Sequence, residues 1–296
     1  MIRMPRLSHC LFLLAALPLF GQTPDVVVGV GTFIHVVADL DRTIHFYKDR
    51  LGLEMTGAPG PRAFSSNAVI ENLYDATGSQ SRVAAFKITG SPLGLEFVEF
   101  KGITQKPFHP GIGDAGASIL TLAVPDVEML LSAFKQDGTS VISADSGRHI
   151  AMVQDPDGFY IQLVAAEVGV PAAKLSLVSA DSAKPTLHLF RDLLGFQFSG
   201  MAAKVPGTQL DLQLMEFKRL ASAPELPSIH DPGAGVLRLQ VRNVDTLLQT
   251  LKNAKVPVVS VGGNPVTIGG RHFVILRDPD GFFFQLVPQT PPPPSR

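Results

Sequence analysis

The chain is poor in several residue types, and each shortage excludes a class of protein. It holds one cysteine, Cys10, in 296 residues and no tryptophan. One cysteine forms no internal disulfide and supplies no thiolate zinc cluster. Charged residues make up only 17%, with 25 Lys+Arg against 26 Asp+Glu. Nucleic-acid binding needs a basic excess to meet phosphate, so nucleic acid drops out as a partner. What the chain does have is apolar material, 45% of residues, enough to build a core. Its length fits two domains of ordinary size.

The two ends read as segments outside the fold. Arg3 and Arg6 precede a ten-residue apolar run, Leu11 to Phe20, and small Gly21 follows. That order is the pattern of an export signal over residues 1–22, and the run is about half of a membrane-spanning length. Its removal takes the only cysteine and two arginines, so 23 basic residues face 26 acidic ones, net −3. A thiol-free, mildly acidic chain suits an oxidising periplasmic or extracellular space, with no stable membrane insertion after cleavage. At the far end, Pro291 to Pro294 opens no helix or central strand, so 290–296 reads as an extended tail.

Between the ends the sequence repeats itself. Thr43-Ile44-His45-Phe46-Tyr47 through Leu51-Gly52-Leu53 recurs as Thr186-Leu187-His188-Leu189-Phe190 through Leu194-Gly195-Phe196, 143 residues on. Leu95-Glu96-Phe97-Val98-Glu99-Phe100 recurs as Leu212-Gln213-Leu214-Met215-Glu216-Phe217, 117 residues on. The shortfall falls on a loop at about 58–80 that the later copy lacks. A second pair follows: Arg148-His149 through Asp155-Pro156-Asp157-Gly158 matches Arg271-His272 through Asp278-Pro279-Asp280-Gly281. Proline and glycine at those places are hairpin chemistry, so the aspartates read as turn residues. Each unit is then a strand, a helix and two or three strands, over roughly 29–104, 115–168, 173–220 and 233–289. Direct joins pair units one with two and three with four, predicting domains at 29–168 and 173–289.

A unit that opens Asp39-Leu40-Asp41-Arg42, runs through Phe46-Tyr47 to Leu51-Gly52-Leu53, and carries an Asp-Pro-Asp-Gly hairpin resembles the vicinal oxygen chelate superfamily. That superfamily includes glyoxalase I, bleomycin- and fosfomycin-resistance proteins and extradiol dioxygenases. The resemblance implies an α+β fold of four βαβββ modules paired into two domains, the third module truncated. It also implies curved sheets around a cavity, where the enzymes hold a divalent metal with His and Glu. The family's first-strand ligand position falls on Thr32, Ile119, Leu175 and Val236 here. Its last-strand position falls on Glu96, Gln162, Gln213 and Gln285. One carboxylate remains, and glutamine is a weaker donor to a divalent cation.

Nearby residues widen the candidate set. His35 lies three residues from the expected place: it packs in the strand, or a bulge turns it into the cavity. If Asp155 faces Gly158 across the turn, Ala151 lies opposite Gln162, and His149 and Tyr160 share that face. The same arithmetic puts His272 with Gln285. Candidate metal ligands are therefore Glu96, His149 and His35, for Mn, Fe, Ni or Zn. Candidate ligand-binding residues are Thr32, Thr121 and Gln162 in the first cavity, and Gln213, Arg238, Gln240, His272 and Gln285 in the second. Arg238 repels a cation and suits an anionic or polar ligand. Three readings follow: a small-molecule binder with weak metal-dependent lyase, isomerase or dioxygenase-like chemistry; a metal-free binding or sequestering protein; or a structural module with filled cavities. Each allows a homo-oligomer.

Overall fold

A computed structural model describes residues 26–57, 63–218 and 225–289. The expected leader at 1–22 and the expected tail at 290–296 lie outside the described residues. The first unit comprises β1 (Val27–Val37), α1 (Leu40–Ile44), β2 (Glu54–Thr56), α2 (Ala68–Leu73), β3 (Gln80–Lys87) and β4 (Gly94–Lys101). The second comprises β5 (Ser118–Val124), α3 (Val127–Asp137), β6 (Val141–Asp145), β7 (Ile150–Gln154) and β8 (Tyr160–Ala165). The third has β9 (Ala173–Ala180), α4 (Lys184–His188), β10 (Phe198–Ser199), β11 (Ala202–Lys204) and β12 (Asp211–Phe217). The fourth has β13 (Gly235–Val241), α5 (Val244–Asn253), β14 (Val266–Ile268), β15 (Arg271–Arg277) and β16 (Phe283–Pro288).

Local chemistry sets the helix ends. Asp39, Asp126 and Asn243 each accept a backbone N–H from the first turn of α1, α3 and α5. Gly138 closes α3 with a positive φ of 76°. In units one and three the helix widens by a residue, as the Leu51 N–H reaches the Phe46 carbonyl and that of Leu194 reaches Leu189. The repeated sequence thus yields a repeated irregularity.

Two eight-stranded sheets form, and their strand order departs from the expected pairing of neighbours. The first runs β14-β15-β16-β13-β1-β4-β3-β2, and the second β10-β11-β12-β9-β5-β8-β7-β6. Unit one thus joins unit four through antiparallel β1 and β13, while unit two joins unit three through β5 and β9. Consecutive units meet by their helical faces instead. Phe46 stacks on Phe134 at 5.7 Å, and Tyr47 and Arg42 reach the 155–158 hairpin. One hydrophobic cluster, holding Phe46, Leu122, Phe134, Leu175, Phe190 and Leu239, draws on all four units.

Candidate functional site

The other face of the first sheet carries a smaller cluster and a polar group. Ile34, Val36, Val98, Phe100, Val236, Ile275 and Phe283 line it, and Leu73, Tyr74 and Ala76 from the 63–80 segment cover them. Burial, with Glu96 nearby, pushes the Tyr74 hydroxyl well above its ordinary range. At the edge of this cluster Arg238 donates through Nη1 and Nη2 to both oxygens of Glu96, at 3.1 and 3.2 Å. Its Nε donates to Gln285 Oε1 at 2.7 Å. The missing side chain at Gly31 makes room: a Cβ there would stand 3.0 Å from Arg238 Cδ. Gln240 turns aside to the Val30 carbonyl, and Thr32 Oγ1 is buried without a partner.

The matching face of the second sheet is less covered. Thr121 donates to Gln162 Oε1 at 3.0 Å, and Lys174 Nζ to Gln213 Oε1 at 3.1 Å. In register Gln162, Thr121 and Lys174 stand side by side on β8, β5 and β9. Gln162, Lys174 and Gln213 are half-buried, as are neighbouring Met152, Val164 and Met215. Asp211 lies opposite Lys174 but gives its carboxylate to Lys204 at 2.8 Å. Strand register aligns Lys174, opposite Asp211, with Thr32, opposite Gly94. The third unit's first-strand position is therefore Lys174 rather than Leu175, which points into the core.

Residues 29–163 match the family model described as the Glyoxalase/Bleomycin resistance protein/Dioxygenase superfamily. Residues 29–163 belong to this superfamily, also called vicinal oxygen chelate. Its fold is similar to glyoxalase I from Zea mays at a TM-score of 0.59, with 17% identity over 88% of this chain and 92% of that one. A Bacillus subtilis protein assigned as a candidate dioxygenase matches at a TM-score of 0.50, with 14% identity over 90% of this chain and 87% of that one. At such identities the likeness shows the fold alone. No curated protein matches the chain in sequence.

The residues standing at the superfamily's metal positions do not fit a divalent cation. On the first sheet, both oxygens of Glu96 and the amide oxygen of Gln285 are bound by Arg238, and Val236 has no donor. On the second, Gln162, Gln213 and Lys174 face Ile119, with no imidazole or acidic ligand at any of the family's positions. A guanidinium and an ammonium stand in the middle of the two sheets.

Several sequence expectations need correction. The grouping of Thr32 and Glu96 with Thr121 and Gln162 fails, because the sheets join units one and four, and two and three. Glu96 meets Arg238 and Gln285 instead, and Thr121 and Gln162 share a face with Gln213. His149 and His272 do not face a cavity. The Asp155 N–H bonds the Phe159 carbonyl, so the turn holds one residue more than expected and Met152, not Ala151, opposes Gln162. The slip sends His149 toward Glu128 on α3 at 3.6 Å, and His272 to Asp245 on α5 at 2.6 Å.

His35 is buried on the helical side of β1, despite the bulge between Val30 and Phe33. There it meets Asp155 and Asp157 of the hairpin, at a place remote in sequence that no local signal marks. Asp155 Oδ1 accepts the Asp157 and Phe159 N–H groups, and Oδ2 accepts the Tyr47 hydroxyl at 3.0 Å. The hairpin reading of these aspartates is therefore structurally sound. Burial pushes the Asp155 carboxyl up to about 6 and the His35 imidazole down to about 4.

Proposed function

We propose that this chain is an exported binding member of the superfamily that works without a metal at the superfamily's positions, and whose ligand is a small polar molecule carrying negative charge. The seat is the uncovered face of the second sheet, where Lys174, Thr121, Gln162 and Gln213 stand together. One observation carries the reading: the Lys174 ammonium bonds a neutral amide oxygen and forms no ion pair with a described residue. A half-buried cation without a counter-charge favours an anionic guest. The first sheet offers no such vacancy, since Arg238 is already neutralised by Glu96 and the apolar cover lies over the strands.

Metal-dependent lyase, isomerase or dioxygenase-like chemistry at Glu96 with His149 or His35 has less support. Those residues lie apart, and Mn, Fe, Ni or Zn at Glu96 would have to displace a guanidinium. Because one chain builds each sheet whole, the reading needs no second copy, and a homo-oligomer stays compatible with it. No helix among the described residues is long and apolar enough to cross a membrane.

Titration calorimetry with succinate and inorganic phosphate tests the seat. At least one should bind, and Lys174→Met should weaken it about tenfold or more, while Lys204→Met should not. Absence of binding for both, or equal binding by Lys174→Met, would overturn the proposal. Export predicts a secreted chain whose intact mass begins near residue 23; a chain retained with its leader would refute that part.

A further inference from the structure

The least explained group in the molecule is His35. It is 1% exposed, and neither ring nitrogen has a hydrogen-bond partner. A buried imidazole left without partners is unfavourable, so such a residue is rarely kept for packing alone. Its Nε2 lies 3.8 Å from Asp155 Oδ2, too far for a hydrogen bond but directed at the carboxylate pair. Phe159 and Phe97 flank the ring, with centroids at 4.9 and 6.4 Å, and exclude water from those sides.

The repeat supplies an internal comparison. In register Leu177 opposes Leu214 as His35 opposes Phe97, so the third unit puts leucine where the first puts histidine. The matching aspartates, Asp278 and Asp280, are satisfied without an imidazole. Asp280 Oδ2 accepts the Ser179 and Thr186 hydroxyls, each at 2.6 Å. In the first copy the corresponding bond from Thr43 to Asp157 Oδ2 stretches to 3.4 Å. The hairpin clasp therefore does not require His35. One copy is closed by hydroxyls, and the other leaves two carboxylates facing an imidazole whose two ring nitrogens are both unpartnered.

We propose that His35, Asp155 and Asp157 hold a divalent cation that ties β1 of the first sheet to the β7–β8 hairpin of the second. One ligand atom from each lies within 4.8 Å of the others. Neutral imidazole with two carboxylates is a nitrogen–oxygen set suited to Zn2+, Mn2+ or Fe2+, and two negative charges balance a divalent ion. Asp155 also belongs to the wall of a cleft of about 500 Å3 between the first helix and the hairpin. The site is closed by Tyr47, Thr43 and the two phenylalanines, so its role is structural. It lies on the opposite side of β1 from the superfamily's metal positions and is independent of the Lys174 seat.

The full chain, expressed without an affinity tag and stripped with chelator, is refolded with Zn2+, Mn2+ or Fe2+ alone. One of these should remain at one equivalent per chain after gel filtration, raising Tm by roughly 5 °C or more. His35→Leu copies the third unit's residue and should fold, yet lose affinity by about 100-fold or more. If that variant does not fold, Asp157→Asn, which keeps an acceptor for the Ala38 N–H, should show the same loss. Retention of no ion by the unmodified chain would overturn the proposal. So would the same stoichiometry and Tm rise in whichever variant folds.

Discussion

Arg238 and Glu96 meet end-on across the first sheet, each terminal guanidinium nitrogen on its own carboxylate oxygen at 3.1 and 3.2 Å. The pair joins residues 142 apart in sequence and places one fixed positive charge at the positions where the family resemblance implies a metal. Removing either partner leaves a charge beside an apolar cluster. A fully buried pair broken this way loses about 3–5 kcal/mol; with solvent reaching this one, we expect roughly 2 kcal/mol for Arg238→Met. Glu96→Gln should cost less, and the double variant should be more stable than the sum of the two losses predicts, by about 1 kcal/mol. Urea unfolding of the four proteins measures this directly. Strict additivity would show that the two side chains do not depend on each other.

The cover over the first sheet should be energetically coupled to it. Tyr74 is 2% exposed and packs on Phe100 with centroids 5.3 Å apart. The Ser260 hydroxyl donates to the Leu73 carbonyl, tying this segment to the fourth unit. Tyr74→Ala should therefore destabilise the whole chain by about 3–5 kcal/mol. It should also make the cluster accessible to a dye that reports exposed apolar surface. A loss below ~1 kcal/mol would mean that the segment lies on the sheet without closing it.

Much of this arrangement was readable in the sequence, and the unread parts share a cause. The four repeated units and their order of strand, helix and strands rest on local spacing, which a sequence displays. Strand alternation set Thr32, Glu96, Thr121, Gln162, Gln213, Arg238 and Gln285 on the faces away from the helices. The errors came where a single residue or a long-range choice decides. One extra residue in the 155–159 turn reversed the face of His149, and the same extra residue in the 278–282 turn reversed that of His272. The one-residue shift between β1 and β9 hid Lys174 behind Leu175; a lone lysine in Ala173-Lys174-Leu175-Ser176-Leu177 was the available signal. The partner of each unit was not local at all. Units one and two spend their shared contact on helices and hairpin, which leaves the edges of β1 and β5 for units four and three.

Tyr47 offers a test of the clasp between consecutive units. Its hydroxyl donates to buried Asp155 at 3.0 Å, whereas the third unit has Phe190 at the matching position. Tyr47→Phe keeps the ring and removes only the donor, so the change isolates one hydrogen bond. A bond to a charged, buried acceptor is worth about 1.5–3 kcal/mol, and we expect a loss in that range at neutral pH. Phe190→Leu, which removes ring packing without any polar bond, serves as the comparison. Stability equal to the parent in Tyr47→Phe would mean that Asp155 is satisfied by its backbone donors alone.

Asp278 should make the protein less stable as pH rises through the mildly acidic range. Burial first, and then the charge of Asp280, push its carboxyl up to about 7. An unfolded chain releases that proton near the ordinary value of about 3.9. Between these two limits the folded state holds a proton that the unfolded state has lost. Unfolding therefore becomes easier with increasing pH, and the stabilisation is fully present only below about 4 and gone above about 7. Asp278→Asn keeps an oxygen to accept the Asp280 and Phe282 N–H groups but has no proton to lose. Relative to this variant, the parent should lose up to about 1.4 kcal/mol per pH unit inside the window and nothing further beyond it. Urea unfolding of both proteins from pH 4.5 to 8 gives the difference curve. Parallel curves would show that the Asp278 proton is not taken up on folding, and a difference of opposite slope would show its carboxyl to be stabilised as the anion.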